Sequence, residues 1–157
     1  MTPEVSQIAA EPASKDRLRL WLRLLKTTRH IEAELRDRLR TEFGTTLPRF
    51  DVMAALSRHA DGMKMSKLSG VLRVSNGNVT GIVDRLVDDG FVVRVAVPGD
   101  RRASLVRLTP KGQGEFARQA TAHEAWLDAM LDTIDQSEAV AFAQRLDSLA
   151  HELMEDT

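Results

Sequence analysis

Apolar positions recur every three or four residues along most of this chain, then switch to every second residue over one short stretch. Leu18, Trp21, Leu25, Ile31, Leu35 and Leu39, with Thr28 on the same stripe, predict a long first helix buried along one face. Ser14 can cap it and Gly44 ends it. Thr46 and Pro48 read as the cap and first turn of a second helix, with Phe50, Met53 and Leu56 inward. Asp61-Gly62 closes a loop, and Met63-Lys64 is placed to add a short strand. Met65 to Leu72 is a brief helical pattern, Arg73-Val74 a tight turn, and residues 75–89 a second helical pattern with Val79, Ile82, Val83 and Leu86 as its buried stripe. Ser75 and Asn76 suit its cap and Gly90 its left-handed stop.

After Gly90 the period becomes two. Phe91 to Val97 and Ser104 to Leu108 read as strands rich in β-branched residues, joined by the turn Pro98-Gly99-Asp100-Arg101-Arg102-Ala103. Thr109 and Pro110 then open a long helix with Phe116, Ala120, His123, Leu127, Met130 and Ile134 on its apolar face. Asp135-Gln136-Ser137-Glu138 resembles a capping box, and Val140, Leu146, Leu149 and Leu153 give a last amphipathic helix. Residues 1–13, with Pro3 and Pro12, read as a mobile tail.

Two short helices across a tight turn form a helix-turn-helix, whose second helix can lie in a DNA major groove. The face of that helix away from its apolar stripe carries Ser75, Asn76, Gly77, Asn78, Thr80, Gly81 and Arg85. Asn pairs with adenine and Arg with guanine, and hydroxyls serve phosphates or bases. Gly77 and Gly81 each weaken a helix by roughly 1 kcal/mol relative to Ala; close approach to a nucleic-acid backbone or close packing on a neighbouring helix would each account for them. The basic hairpin tip that follows reads as a wing, with Arg101 or Arg102 entering the minor groove and Asp100 beside them; a solvated hairpin is the plainer alternative. Ser66, Lys67 and Ser75 are assigned to phosphates, and Asn76, Asn78, Thr80 and Arg85 to the groove.

Helix-turn-helix, strand, Asp100-Arg101-Arg102 wing, strand, and then Leu108-Thr109-Pro110-Lys111-Gly112 opening a helix resembles the MarR family of bacterial winged-helix regulators. The resemblance runs from about Lys15 to the C-terminus. It implies a homodimeric repressor or activator, released from DNA in many members by a small ligand bound between the dimer helices and the winged lobe, where the first, second and fifth helices meet. On that basis the candidate effector residues here are Arg19, Trp21, Arg23, Lys26, His30, Arg49 and Met53. Arg19, Arg23 and Lys26 fall at i, i+4 and i+7, offering three cations beside an aromatic to an aromatic carboxylate or an acyl-CoA thioester. The same stripe can equally be solvated or pair with the acidic C-terminal helices.

The 157 residues carry a net charge of −1, which suits a DNA binder only once it is divided along the chain. Residues 64–111 hold nine basic residues (Lys64, Lys67, Arg73, Arg85, Arg94, Arg101, Arg102, Arg107, Lys111) against four acidic ones (Asp84, Asp88, Asp89, Asp100), a net of +5. Residues 112–157 hold two basic and ten acidic residues, a net of −8, and residues 1–63 eleven and nine, a net of +2. The positive segment coincides with the helix-turn-helix and wing.

The absence of cysteine excludes disulfides, zinc-thiolate sites and thiol-based sensing. His30, His59, His123 and His151 form no ligand-spaced pair, so no metal site and no cofactor are expected. No nucleophile elbow or phosphate-cradling glycine loop points to an enzyme. No apolar run spans a membrane and no signal peptide is evident, so the expected location is the cytoplasm.

The fold class is therefore mainly α (α+β): a winged helix-turn-helix with a helical dimerisation region built from the N- and C-terminal helices. It divides into a tail at 1–13, a first dimerisation helix at 14–45, a DNA-binding region at 46–110 and C-terminal dimerisation helices at 111–157. The expected partners are a pseudo-palindromic double-stranded operator, a second copy of the chain, and a small anionic effector. The alternatives are a metal-responsive regulator of the same fold and a winged helix used for protein interaction.

Overall fold

A computed structural model describes residues 11–72 and 76–156. Residues 1–10 of the tail expected at 1–13, and the expected turn Arg73-Val74 with the expected cap Ser75, lie outside the described residues. Six helices and a small sheet follow in the order α1 (Ala13–Phe43), α2 (Leu47–Ser57), β1 (Met63–Lys64), α3 (Met65–Leu72), α4 (Asn76–Asp88), β2 (Val92–Val97), β3 (Asp100–Leu108), α5 (Pro110–Met130) and α6 (Gln136–Glu155). The expected mainly α winged helix-turn-helix is what forms. No helix among the described residues is long and apolar enough to cross a membrane.

The capping residues fix most boundaries as their chemistry dictates. Thr46 accepts the Arg49 amide at 3.3 Å with Pro48 in the first turn. Thr109 accepts the Gly112 amide at 3.0 Å with Pro110 at the first helical position. Asp135 accepts the Glu138 amide at 2.9 Å, and that bond holds its carboxyl below the usual carboxylate range. Two expectations fail at helix ends. Ser14 lies inside α1, whose cap position is Pro12, with no side-chain bond to the first turn. Without a polar cap to set the start, the helix begins at Ala13, two residues before a Ser14 cap would have started it. α5 stops at Met130, so Ile134 falls in the turn before α6 rather than on the α5 face.

The sheet has the antiparallel order β1-β3-β2, with Met63 opposite Val106 and Val92 opposite Leu108. Alternation along β2 and β3 turns Val92, Val106 and Leu108 inward. They meet Val52, Leu56, Leu68, Val79, Val83 and Leu86 in one core. A second core joins Leu35 and Leu39 of α1, Leu47 and Phe50 of α2 and Trp126 of α5. Aromatic contacts border it: Phe43 lies 6.2 Å from Trp126 at a 59° tilt, and the Arg38 and Arg118 guanidinium groups sit 5.9 Å and 5.6 Å from the Trp126 and Phe43 rings.

The amphipathic stripes at the two ends of the chain are not covered. Leu18, Trp21 and Leu22 of α1 are about half exposed, and α6 has no buried residue, with Phe142 58% and Leu153 61% exposed. The apolar face foreseen for α1 is buried only at Leu35 and Leu39 in its C-terminal half.

One close approach locks the sheet to α5. A Cβ added at Gly112 would lie 1.9 Å from the Phe91 carbonyl oxygen, so only glycine lets the first turn of α5 rest against the start of the wing. Replacing Gly112 with Ala should therefore destabilise the protein by about 3 kcal/mol or more. Urea unfolding should show a lower midpoint at an unchanged slope; a midpoint equal to that of the parent would contradict this packing.

Candidate nucleic-acid interface

α4 carries its apolar stripe inward, with Val79, Val83 and Leu86 buried in the winged-helix core. That burial fixes the helix roll and turns Asn78, Thr80, Gly81 and Arg85 to the exposed side. Ser75 lies outside the described residues, as do the side chains of Asn76 and Arg101. Ser66 and Lys67 are exposed in the first turn of α3, where hydroxyl and ammonium are placed to meet phosphate.

The exposed face of α4 is divided by charge. Its first half is neutral and polar, whereas Asp84, Asp88 and the following Asp89 lie in and beyond its last half. Two of these acids have basic partners: Asp84 pairs with Arg94 of β2, and Asp89 lies 3.6 Å from Arg85. The half of α4 able to approach an anionic duplex without like-charge repulsion is thus the half with Asn78 and Thr80. Arg85, expected to reach a base, is drawn toward Asp89 in this structure. Arg94 is likewise matched by Asp84. Sequence spacing missed the Asp84–Arg94 pair because its partners are ten residues apart and meet only when β2 folds back beside α4.

The wing follows from β2, the turn at Pro98 and Gly99, and β3. Asp100 does not present its carboxylate to a ligand here: it accepts the Arg102 amide at 3.0 Å and shapes the tip. The pairing shifts register between Ala96 and Val97, which re-aims the tip, and the Arg102 side chain is exposed there. Neutral polar groups on α4, a cation on α3 and Arg102 of the β-hairpin are therefore all exposed on the winged unit.

The candidate effector residues separate. Lys26 and His30 line a cleft of about 670 Å³ between α1 and the end of α5, together with Arg29 and Glu34 and apolar walls from Ile31, Met130 and Leu131. Arg29, Glu34, Met130 and Leu131 had no distinguishing sequence signal, because their juxtaposition needs the α1–α5 packing. Arg19 is engaged by Glu11 at 2.5 Å and Asp16 at 3.3 Å, and Arg23 donates to the Arg19 carbonyl at 3.3 Å. These two and the exposed Trp21 lie toward the N-terminal end of α1, outside the cleft lining. Arg49 is half-buried in the first turn of α2. Met53 is 1% exposed and packs in the winged-helix core.

Two titratable groups mark the seams around α2. His123 stacks on Phe50 at 4.5 Å and 26°, and burial there lowers its pKa, which keeps the ring neutral at pH 7. Asp51 borders a smaller hollow of about 180 Å³ where α1 and α2 face Leu72 and Ile82. Burial, and then the nearby Glu32, raise its pKa, with Arg36 opposing them.

Comparison with known proteins places this arrangement in context. The family model described as the MarR family matches residues 45–104, from the loop before α2 into β3. The crystal structure of a MarR family transcriptional regulator from Silicibacter pomeroyi is similar at a TM-score of 0.76 and 33% identity, over 91% of this chain and 99% of that one. The HTH-type transcriptional regulator YsmB of Bacillus subtilis, described as uncharacterized, is 28% identical over 131 residues, 82% of this chain and 89% of its own length. CouR from Rhodococcus jostii RHA1, whose structure is bound to p-coumaroyl-CoA, shares the fold at a TM-score of 0.73 and 18% identity, over 83% of this chain and 91% of that one.

Proposed function

This chain belongs to the MarR family of DNA-binding transcriptional regulators, and we propose that it acts as a homodimeric repressor of a pseudo-palindromic operator, released by a small amphipathic anion. The observation that carries the DNA reading is the neutral polar face of α4 beside the Arg102 wing, within a segment of net charge +5 in a chain of net charge −1. Asn78 and Thr80, with Asn76, take the base edges. Ser66, Lys67 and Ser75 hold phosphates, and Arg102 or Arg101 enters the minor groove.

The dimer is supported by the uncovered apolar faces of α1 and α6 and by their charges. α1 holds nine basic and five acidic residues, while α6 holds Glu138, Asp147, Glu152 and Glu155 against Arg145. Packing α6 of one copy along α1 of another would bury both apolar faces and bring opposite charges together. Residues 14–45 and 111–157 then form the dimerisation region and 46–110 the DNA-binding region. The two-fold would set two α4 helices about 34–36 Å apart, one turn of DNA, or a multiple of it.

The cleft lined by Lys26, Arg29 and His30 over Ile31, Met130 and Leu131 supports the ligand class. Cations over an apolar wall suit an anion with an apolar body, either an aromatic carboxylate or an acyl-CoA thioester. CouR, of the same fold, is bound to such a thioester in its structure.

Titration on duplex DNA from the region upstream of its own gene, across salt, tests the DNA reading. Tight binding well above a scrambled duplex is expected, with Arg102→Ala weakening binding to both duplexes and reducing the salt slope by about one; a loss confined to one sequence would contradict a wing that holds backbone. Phe142→Asp should convert a dimer to monomer in sedimentation at micromolar concentration, whereas a parent protein monomeric at that concentration would refute the dimer. In a transcription assay on that duplex, aromatic acids or their CoA thioesters should relieve repression by the parent protein. Lys26→Ala should need at least about tenfold more ligand, with DNA affinity unchanged. Equal responses would remove Lys26 from the ligand site, and lower transcription on ligand release would reverse the sign of regulation.

A further inference from the structure

Two motifs that stand apart along the chain, Asp89-Gly90-Phe91 after α4 and Thr109-Pro110-Lys111-Gly112 at the start of α5, form one joint. The Lys111 ammonium donates to the Asp89 carbonyl at 2.9 Å and lies 5.1 Å from the centroid of the Phe91 ring. The Thr109 hydroxyl donates to the Gly90 carbonyl at 2.6 Å, and the Thr109 amide to the Phe91 carbonyl at 3.0 Å. Gly112 allows the backbones to touch. Asp89 and Gly90 are where α4 ends: their amides close its last turn onto the Arg85 and Val87 carbonyls at 3.0 Å each. An ammonium at that end also meets the negative pole of the helix dipole. The first turn of α5 thus grips α4 by its C-terminal end.

We propose that Lys111 is a positioning residue for DNA recognition, setting from α5 the angle at which α4 enters the groove. This rests on the reading of α4 as the groove helix. α4 is 13 residues long, which puts its first turn about 20 Å from the joint at ~1.5 Å per residue. A tilt of about 10° at the joint would swing that first turn by about 3 Å, whereas a hydrogen bond tolerates only a few tenths of an ångström. A side chain remote from the groove therefore governs whether Asn78 and Thr80 meet base edges. Its ammonium, though solvent-exposed, is engaged on a carbonyl and a ring, and it acts by position rather than by neutralising a phosphate. Lys111 belongs to the positive segment by sequence but not to the phosphate-binding surface.

The test begins with the full-length protein selecting its preferred duplex from a random-sequence pool. Parent protein, Lys111→Met and Lys111→Arg are then titrated on that duplex and on a scrambled one between about 50 and 200 mM salt, with the active fraction of each counted by stoichiometric titration. Lys111→Met keeps an apolar stem over Phe91 and loses the ammonium. The expected result is a loss of about tenfold or more on the selected duplex, under about twofold on the scrambled one, and an unchanged salt slope. Lys111→Arg should restore most of the loss.

A slope smaller by about one would make Lys111 a phosphate contact and overturn the proposal. Unchanged affinity on the selected duplex, an equal loss on both duplexes, or a loss explained by a reduced active fraction would each overturn it too. If the parent protein enriches no sequence, the groove reading of α4 fails first, and the proposal falls with it.

Discussion

Burial of α2 on two sides is the constraint on which the rest of this structure depends. Leu47 and Phe50 face α1 and α5, while Val52, Met53, Ala55 and Leu56 face the winged-helix core. Each of these side chains larger than Ala55 contributes about 1.5–3 kcal/mol by leaving water, so an 11-residue helix can hold both cores together without charged help. The orientation of α4 relative to the long helices is thereby set through packing. Close-packed apolar surfaces have discrete arrangements rather than a continuum, and that is what lets an event at one core be felt at the other.

Charge works at a different level. It does little for the stability of the winged unit, whose ion pairs are exposed and screened, but it decides which surface an anionic polymer can approach. Of the acids in and just after the last half of α4, Asp84 and Asp89 are matched by Arg94 and Arg85. The neutral first half is left as the face a duplex can meet. Wing geometry complements this: Asp100 spends its carboxylate on the backbone of the turn, and the Arg102 side chain is exposed. An acidic residue inside a basic tip is thus reconciled with DNA binding.

Much of the fold was legible along the chain. Thr46, Thr109 and Asp135 announced helix starts because a short side-chain oxygen satisfies an amide three residues on, a bond that needs no tertiary partner. The change from a period of 3.6 to 2 at Gly90 announced the wing for the same local reason. Helix roll was legible too, since the stripe Val79, Val83 and Leu86 must face a core and so fixes where Asn78 and Thr80 point. Ser14 misled because a suitable residue is not a cap unless the backbone is extended there, and Pro12 took that position instead.

What the sequence alone determined, then, is everything that local hydrogen bonding and periodicity control: the order of elements, the polar face of α4, the basic wing and the family they resemble. Tertiary structure decided what depends on residues distant in the chain meeting in space. It brought Lys26 and His30 together with Met130 while leaving Arg19 and Arg23 to local partners. It matched Arg94 with Asp84, and it placed the Lys111 ammonium against the end of α4. A charge pattern records how many cations a segment holds, whereas only the packing of α5 against the α4–β2 turn determines which of them is engaged within the protein.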